Sequence, residues 1–452
     1  MELNKKHSLD PAQYAAQHSS LCVKNDTIPD DLFKKYNVNR GLRDLNGKGV
    51  LTGLTSISEI ISFNEGSDGN RIPCDGQLWY RGFNVQDLVK TYSQERFAYE
   101  KLTYLLLFGE LPDQEQTDEF IKVLAKERDL PRYFVRDVIM KAPTKDIMNS
   151  MTKSILTLSS YDKKAENTDL PNCLRQCMQL IAQFPMLAIY GYHAYNHYEN
   201  MDSMYIHRPD PKKSTAENIL MMLRPDKKYT DTEAKVLDAA LMLHMEHGGG
   251  NNSTFTTRVV TSSGSDTYAT IAAAMSSLKG PKHGGANIKV MQMMSDIRKH
   301  VKDWNDDDEI YAYLSAIIKG EAFDNKGLIY GMGHAVYSIS DPRERIFKSF
   351  VEKLSEEKHR SKDMGLYQSI ERIAPKVIAD NRHIFKGVSP NVDFYSGFVY
   401  DMLGIPQELY TPIFAIARIT GWSAHRIEEI VGNGKILRPA YMSVMERKDS
   451  LL

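Results

Sequence analysis

Several things are scarce in this chain of 452 residues. Four cysteines are too few for a disulfide framework at this length. Cys173 and Cys177 share a helical spacing, but no second pair completes a metal site, so four reduced thiols in a reducing compartment are expected. No apolar run approaches the roughly 18–20 residues that a membrane span needs. Neither sign of charge dominates: 57 Lys and Arg stand against 58 Asp and Glu, a formal net charge of -1. That balance gives no broad basic face for nucleic acid or an anionic membrane. Met1 to His7 is polar and no apolar core follows it, so it reads neither as a signal peptide nor as an Arg-rich transit segment. The expected location is cytoplasmic. The chain also has no internal repeat, low-complexity tract, P-loop or dinucleotide fingerprint.

What is present is ordinary for a globular protein, with 42% hydrophobic and 25% charged residues. The length exceeds what one core usually serves, which favours two domains. Strand character is confined to Val50–Phe63 and Asp75–Gly82. Helical spacing dominates elsewhere. It predicts helices over Tyr99–Phe108 with Gly109 at the C′ position, over Lys145–Ser159, and over Cys173–Tyr192 with a kink at Pro185. Ser214 and Glu217 form a capping box, and a core helix runs from Thr232 toward His247. Further helices follow at Asp266–Leu278 and Ile288–Ile297, and the acidic run Asp306–Asp308 reads as a solvated helix start. The fold class is therefore all-α with a short N-terminal β element.

The stretch Leu241-Met242-Leu243-His244-Met245-Glu246-His247-Gly248-Gly249-Gly250-Asn251 draws the chemistry. Val236, Ala240, Leu243 and His247 share one helix face, and the three glycines are expected to stop the helix just after His247. An imidazole there suits acid–base work. A satisfied core histidine is the structural alternative. A zinc helix is another, although His244 and His247 are three apart and the zinc pattern needs four.

Three later stretches repeat the theme of polar residues between glycines or prolines and an apolar helix. Gly331-Met332-Gly333-His334 offers bare backbone beside a histidine, and Asp341-Pro342-Arg343 reads as an N-cap, a first helical proline and an anion-seeking arginine. A first-turn arginine in solvent is the alternative. Asp393 sits among Val392, Phe394 and Tyr395, where desolvation would raise its pKa toward that of a useful base. An N-capping aspartate is the alternative. Arg418 interrupts an apolar helix and needs a partner, either a substrate carboxylate or Glu428 or Glu429. Arg438 lies near the C-terminus. Two histidines, one aspartate and three arginines suit acid–base chemistry on a small polycarboxylate.

Four of these motifs, in this order, resemble the citrate synthases: Glu246-His247-Gly248-Gly249-Gly250-Asn251; Gly280-Pro281-Lys282-His283-Gly284-Gly285-Ala286-Asn287; Gly331-Met332-Gly333-His334 with Asp341-Pro342-Arg343; and Asn391-Val392-Asp393-Phe394-Tyr395-Ser396-Gly397. The resemblance covers nearly the whole chain, from Leu51 to Arg438. It implies a citrate synthase-like dimer with large and small helical domains, here 1–250 and 404–452 for the large domain and 251–403 for the small one. The active site would lie in a cleft that closes on oxaloacetate. The implied enzyme is a citrate (Si)-synthase of the tricarboxylic acid cycle, an acyltransferase condensing acetyl-CoA with oxaloacetate and hydrolysing the thioester to citrate and CoA. The alternative is 2-methylcitrate synthase, which uses propionyl-CoA.

By the same resemblance His247, His334 and Asp393 would be catalytic, and Arg343, Arg418, Arg438 and Asn251 would bind substrate, with Arg438 reaching across the homodimer. Leu328, Gly331, Gly333 and Lys386 are candidates for CoA contacts. No tightly bound cofactor, metal, nucleic acid or membrane partner is implied; acetyl-CoA is a substrate. The chain departs from the family at two points. The usual Asp-His-Glu reads Glu246-His247-Gly248, and the helix from Ser214 to Leu223 lacks an expected substrate-binding histidine, leaving Glu217 or a neighbour in its place. Two other classes remain as rivals: a metal hydrolase built on His244 and His247, and a non-catalytic helical scaffold.

Overall fold

The computed structural model describes residues 11–39, 41–43, 49–65, 71–281, 283–333, 337, 339–382, 388–432 and 434–445. The chain divides into two units, Met1–Leu54 and Thr55–Leu452. The first unit holds helices α1 (Pro11–Asp26) and α2 (Asp30–Lys35) and an antiparallel bridge between Arg43 and Gly49. Its described side chains form no buried core; Tyr14, Leu21, Leu51 and Leu54 are all exposed.

The second unit opens with a three-stranded antiparallel sheet, β1 (Ser58–Glu65), β2 (Arg71–Tyr80) and β3 (Phe83–Asn84), in sequence order. Ser58 pairs with Tyr80 and Glu59 with Trp79. Helices α3 (Val85–Tyr92), α4 (Ala98–Phe108), α5 (Gln114–Glu127), α6 (Ile147–Ser159), α7 (Leu170–Asn200), α8 (Thr215–Leu223) and α9 (Asp231–His244) follow. After them come α10 (Asn252–Ser262), α11 (Thr267–Leu278), α12 (Ala286–His300), α13 (Asp307–Lys319), α14 (Pro342–Glu357), α15 (Ser361–Arg382), α16 (Val392–Met402) and α17 (Tyr410–Val431). The all-α architecture with a short β element is what the hydrophobic spacing requires. No helix among the described residues is long and apolar enough to cross a membrane.

Local chemistry sets most boundaries. Gly109 takes φ +88° and its N–H closes α4 on the Leu105 carbonyl at 2.8 Å. Ser214 and Glu217 make the reciprocal capping box of α8. Helix α7 is longer than its apolar spacing suggests: the Asp169 carboxylate caps it, and it runs unbroken past Pro185. Leu180 to Ile189 are all buried, so tertiary packing outweighs the hydrogen bond the proline removes.

The end of α9 differs from the sequence expectation. The helix stops at His244, before the glycines, and His247 lies beyond it, outside regular secondary structure. The stop is enforced from outside. Arg418 Nε donates to the His244 carbonyl at 2.8 Å, and the Tyr80 hydroxyl faces the carbonyls of Met242 and Glu246 at 3.2 Å each. Those contacts satisfy carbonyls that another helical turn would have used. Of the three glycines only Gly248 has a positive φ, +84°.

Helix α17 is the axis of the core, packing on α7, α10, α4 and α9. Its Gly421 lies against the turn after α9, where a Cβ would come within 2.2 Å of Glu246 Oε2 and 2.4 Å of the Met245 carbonyl. Gly421→Ala should lower stability by about 1–3 kcal/mol, read as a fall in thermal midpoint. Gly365→Ala on α15 meets nothing within 4 Å and should leave the midpoint unchanged or raise it.

Candidate active site

His247 is buried, with its ring edge-on to Tyr337 at 5.7 Å between centroids. The Tyr337 segment is held from β2. Ser340 Oγ donates to Asp75 Oδ1 at 2.8 Å and accepts the Gly76 N–H at 3.2 Å, and Arg345 reaches Asp75 at 3.1 Å. A Cβ on Gly76 would strike the Ser340 carbonyl at 2.2 Å and the Tyr337 ring at 2.5 Å. Only glycine permits this approach.

Helix α14 starts as its sequence requires, with Asp341 as N-cap and Pro342 as first residue. Asp341 also binds the Arg343 side chain through two nitrogens, Nε at 3.0 Å and Nη2 at 2.8 Å, and its Oδ2 accepts the Val392 N–H at 3.2 Å. That last bond ties α14 to α16. Both side chains of the ion pair are buried. Burial would lower the Arg343 pKa, but Asp341 more than offsets it and raises it above the ordinary arginine value.

The loop Gly331–Gly333 is stitched to the start of α16. Gly331 O accepts the Asn391 N–H at 2.9 Å, the Gly333 N–H meets Ser389 O at 2.7 Å, and Asn391 Nδ2 returns to Gly333 O at 2.8 Å. Gly331 has φ +83°, with a Cβ position 2.9 Å from the Phe394 and Val290 side chains. Asn391 caps α16 by accepting the Asp393 N–H at 3.0 Å. Asp393 is thus a first-turn residue and not the cap itself. Its half-buried carboxyl is raised to about 6, chiefly by desolvation; the Asp341 charge adds to the rise, and Arg343 and Arg418 oppose it.

Arg418 is fully buried on α17. Desolvation pulls it down to about 10, Arg343 adds to the fall, and Glu246 and Asp393 oppose it. Glu246 is buried beside it. Its Oε1 takes a hydrogen bond from Ser58 Oγ at 2.9 Å and meets His425 Nε2 at 3.0 Å. Desolvation would raise Glu246, yet His425, Arg418 and Ser58 hold it down at about 2. Arg258 donates to His425 Nδ1 at 2.7 Å, which leaves the ring proton on Nε2 for Glu246. Arg258 in turn pairs with Glu428 and Glu429, so both expected bland partners of Arg418 are engaged with Arg258 instead.

The model of the family described as "Citrate synthase, C-terminal domain" matches residues 44–440. The chain belongs to the citrate synthase family. A citrate synthase of Haloferax volcanii is 35% identical over 369 residues, covering 80% of this chain and 88% of that one. A 2-methylcitrate synthase of Corynebacterium glutamicum is 31% identical over 408 residues, covering 88% and 95%. Among solved structures, the Thermoplasma acidophilum citrate synthase in a ternary complex with carboxymethyl coenzyme A and oxaloacetate superposes with a TM-score of 0.72 at 26% identity, over 89% of this chain and 96% of that one.

Within this citrate synthase fold, Arg343 and Arg418 lie close enough to Asp393 for their charges to oppose the rise in its pKa. Asn251 is the N-cap residue of α10, and its amide oxygen accepts from Ser253 Oγ at 2.9 Å. Leu328 is exposed near the Gly331–Gly333 loop. Arg438 is exposed, on the segment 434–445, which has no regular secondary structure. His334 and Lys386 lie outside the described residues. Glu217 is bound to Arg96 at 2.8 Å and to the Ser214 cap, which accounts for its carboxylate away from Arg343 and Arg418. No group of three or more His, Cys, Asp or Glu is placed for a metal among the described residues.

Sequence reasoning passed over Tyr80, His283 and His425 as site residues. His283 Nε2 lies 3.0 Å from Ser253 Oγ, and its ring is lowered to about 4 by burial and then by Arg418. Its place inside the second family motif was the available signal.

Asp393 has a native pKa above its ordinary value near 4, so between about pH 4 and 6 the native state holds a proton that the unfolded chain has released. Stability from this group therefore falls as pH rises through that window and is level above it. Asp393→Asn should gain thermal midpoint over the parent protein from about pH 4 to about pH 6 and no further beyond. A pH-independent difference would contradict the buried charge.

Proposed function

We propose that this protein condenses an acyl-CoA with oxaloacetate and hydrolyses the resulting thioester, as a citrate synthase acting on acetyl-CoA. One observation carries the chemistry: Asp393 is a half-buried carboxylate raised to about 6, beside two buried guanidinia. At neutral pH such a group is ionised yet basic enough to remove a proton from a weak carbon acid.

In this reading Asp393 takes a proton from the acetyl methyl carbon. His247 donates a hydrogen bond to the thioester oxygen as negative charge gathers there, the logic of an oxyanion hole. The enol carbon then attacks the ketone carbon of oxaloacetate, and His334 gives its proton to the ketone oxygen. Water cleaves the thioester and releases citrate and the CoA thiol. Arg343 (oriented by Asp341), Arg418 and Asn251 bind the substrate carboxylates, and Gly331, Gly333, Leu328 and Lys386 are assigned to CoA. Arg438 acts across a homodimer. The exposure of Tyr441 and Met445 on the same C-terminal segment, at 95% and 79%, supports a covering partner. The expected setting is the cytoplasm.

The propionyl-CoA reading is supported by 2-methylcitrate synthases among the relatives, at 31% identity against 35% for the Haloferax citrate synthase. One methylene is worth only about 1–3 kcal/mol, so overall similarity does not separate the two substrates.

The test is CoA thiol release with oxaloacetate, run with acetyl-CoA and with propionyl-CoA. Faster release with acetyl-CoA is expected, with kcat/KM falling below about pH 6 as Asp393 is protonated. Asp393→Ala should lose roughly 100- to 10,000-fold in kcat. A preference for propionyl-CoA would select the second reading, and no release with either would reject both. Mixing His334→Ala and Arg438→Ala chains should restore part of the activity; hybrids that stay inactive would exclude a shared site.

A further inference from the structure

Helix α14 carries a buried acid that the reaction scheme does not use. Glu344 follows Arg343 in the first turn and is 4% exposed. Its Oε1 has no hydrogen-bond partner among the described residues. Two cations of its own helix bear on it, and both are bonded elsewhere. Lys348 donates to Glu371 of α15 at 2.8 Å, and Arg345 reaches Asp75 of β2 at 3.1 Å. Glu371 also accepts the Tyr395 hydroxyl of α16. Of the two facing acids, Glu371 has the donors. The charged groups of the other elements packed on α14 are turned away from Glu344. Arg372, next to Glu371, binds Asp307 at 2.7 Å, and α3 leaves Asp87 and Lys90 exposed to solvent. From α9, Glu233 binds Lys358 at the far end of α14, and His244 lies beside Arg343. Asp393 of α16 faces Arg343 and Arg418. A buried carboxylate with neither donor nor cation is the costly form, and the neutral carboxyl is the one these surroundings accept. Burial, and next the Glu371 charge, push Glu344 up to about 8; Asp341 adds to the rise, and Lys348 and Arg345 oppose it.

We propose that Glu344 is a positioning residue that works as a neutral carboxyl: while it keeps its proton α14 stays closed on α15 and α16, and its ionisation beside Glu371 loosens the contact that sets Arg343 against Asp393. The helices concerned are those of the reaction. Helix α14 presents Arg343, α16 presents Asp393, and Asp341 joins them by accepting the Val392 N–H at 3.2 Å. An anion at Glu344 meets a second carboxylate across the α14–α15 contact and has no donor for Oε1. Separation of the helices or entry of water relieves it. Glu344 itself touches no substrate; it acts through the placement of Arg343 and Asp393. Its catalytic consequence rests on the proposed function, and its effect on the helices does not.

Glu344→Gln, neutral at every pH, is compared with the parent protein. In thiol release the parent's kcat/KM should fall roughly tenfold between about pH 7 and about pH 9 as this one group ionises. Glu344→Gln should keep its neutral-pH value across that range. A parent profile that stays level, or an equal fall in Glu344→Gln, overturns the assignment. Amide exchange in α14 and α16, compared between the two proteins at each pH, reads the helices directly. The parent should exchange faster than Glu344→Gln above about pH 8 and alike below about pH 7; equal exchange throughout overturns the loosening. Between about pH 4 and 8 the native state holds a proton that the unfolded chain has released, so stability from this group falls as pH rises through that window. The thermal midpoint of Glu344→Gln should gain on the parent's across it, and a difference independent of pH overturns the buried ionisation. If Glu344→Gln does not fold, the parent protein labelled with 13C at its glutamate carboxyl carbons decides. One glutamate should titrate near pH 8, and the absence of any that titrates above about pH 7 overturns the assignment. A parent protein that releases no thiol with either acyl-CoA removes the proposed function; amide exchange and the carboxyl titration then still decide whether a neutral Glu344 holds α14.

Discussion

Helix α9 ends inside the protein, where water cannot satisfy its last carbonyl groups. That constraint shapes the site. The groups that meet those carbonyls, Arg418 from α17 and Tyr80 from β2, come from opposite ends of the chain. By meeting them they fix where the helix stops, and so where His244, Glu246 and His247 point. These residues stand on a turn held by bonds to its backbone, so its course does not depend on their side chains alone.

Charge is distributed with similar economy. Arg343 has its own carboxylate in Asp341, bound through two nitrogens, so its orientation is settled before any ligand arrives. Arg418 has no such private partner; Glu246, the nearest compensating charge, is bonded to Ser58 and His425. One guanidinium is therefore a positioned cation and the other a cation with unspent capacity. Helix α15 adds a strut, since Glu371 accepts from Lys348 of α14 at 2.8 Å and from the Tyr395 hydroxyl of α16. The elements that carry Arg343 and Asp393 are thus tied to a common neighbour as well as to each other.

Features set by residues close in sequence were legible. The Asp341-Pro342 helix start, the Ser214 capping box, the Gly109 stop and the apolar setting of Asp393 are all local, and each appears as its residues dictate. What sequence could not supply were contacts closed over long distances. His425 meets Glu246 across 179 residues and Arg418 meets the His244 carbonyl across 174. The misplaced end of α9 has the same origin: three glycines suggested a local stop, while the actual stop comes from Tyr80 and Arg418. Asp393 was read for its desolvation, and that held; its support from Asn391 and the Gly331–Gly333 loop needed the fold. The family motifs did not show which neighbours fix their residues, which is why His283 passed as a motif letter.

Strand β2 supplies no reacting group, yet Gly76 and Asp75 clamp the segment that places Tyr337 against His247. With no space for a Cβ at Gly76, the tyrosine cannot retreat toward the sheet. The ring is therefore a wall whose position is set from behind. Moving that ring toward the sheet is not achieved by trimming neighbouring side chains alone; the whole β1–β2 hairpin has to shift.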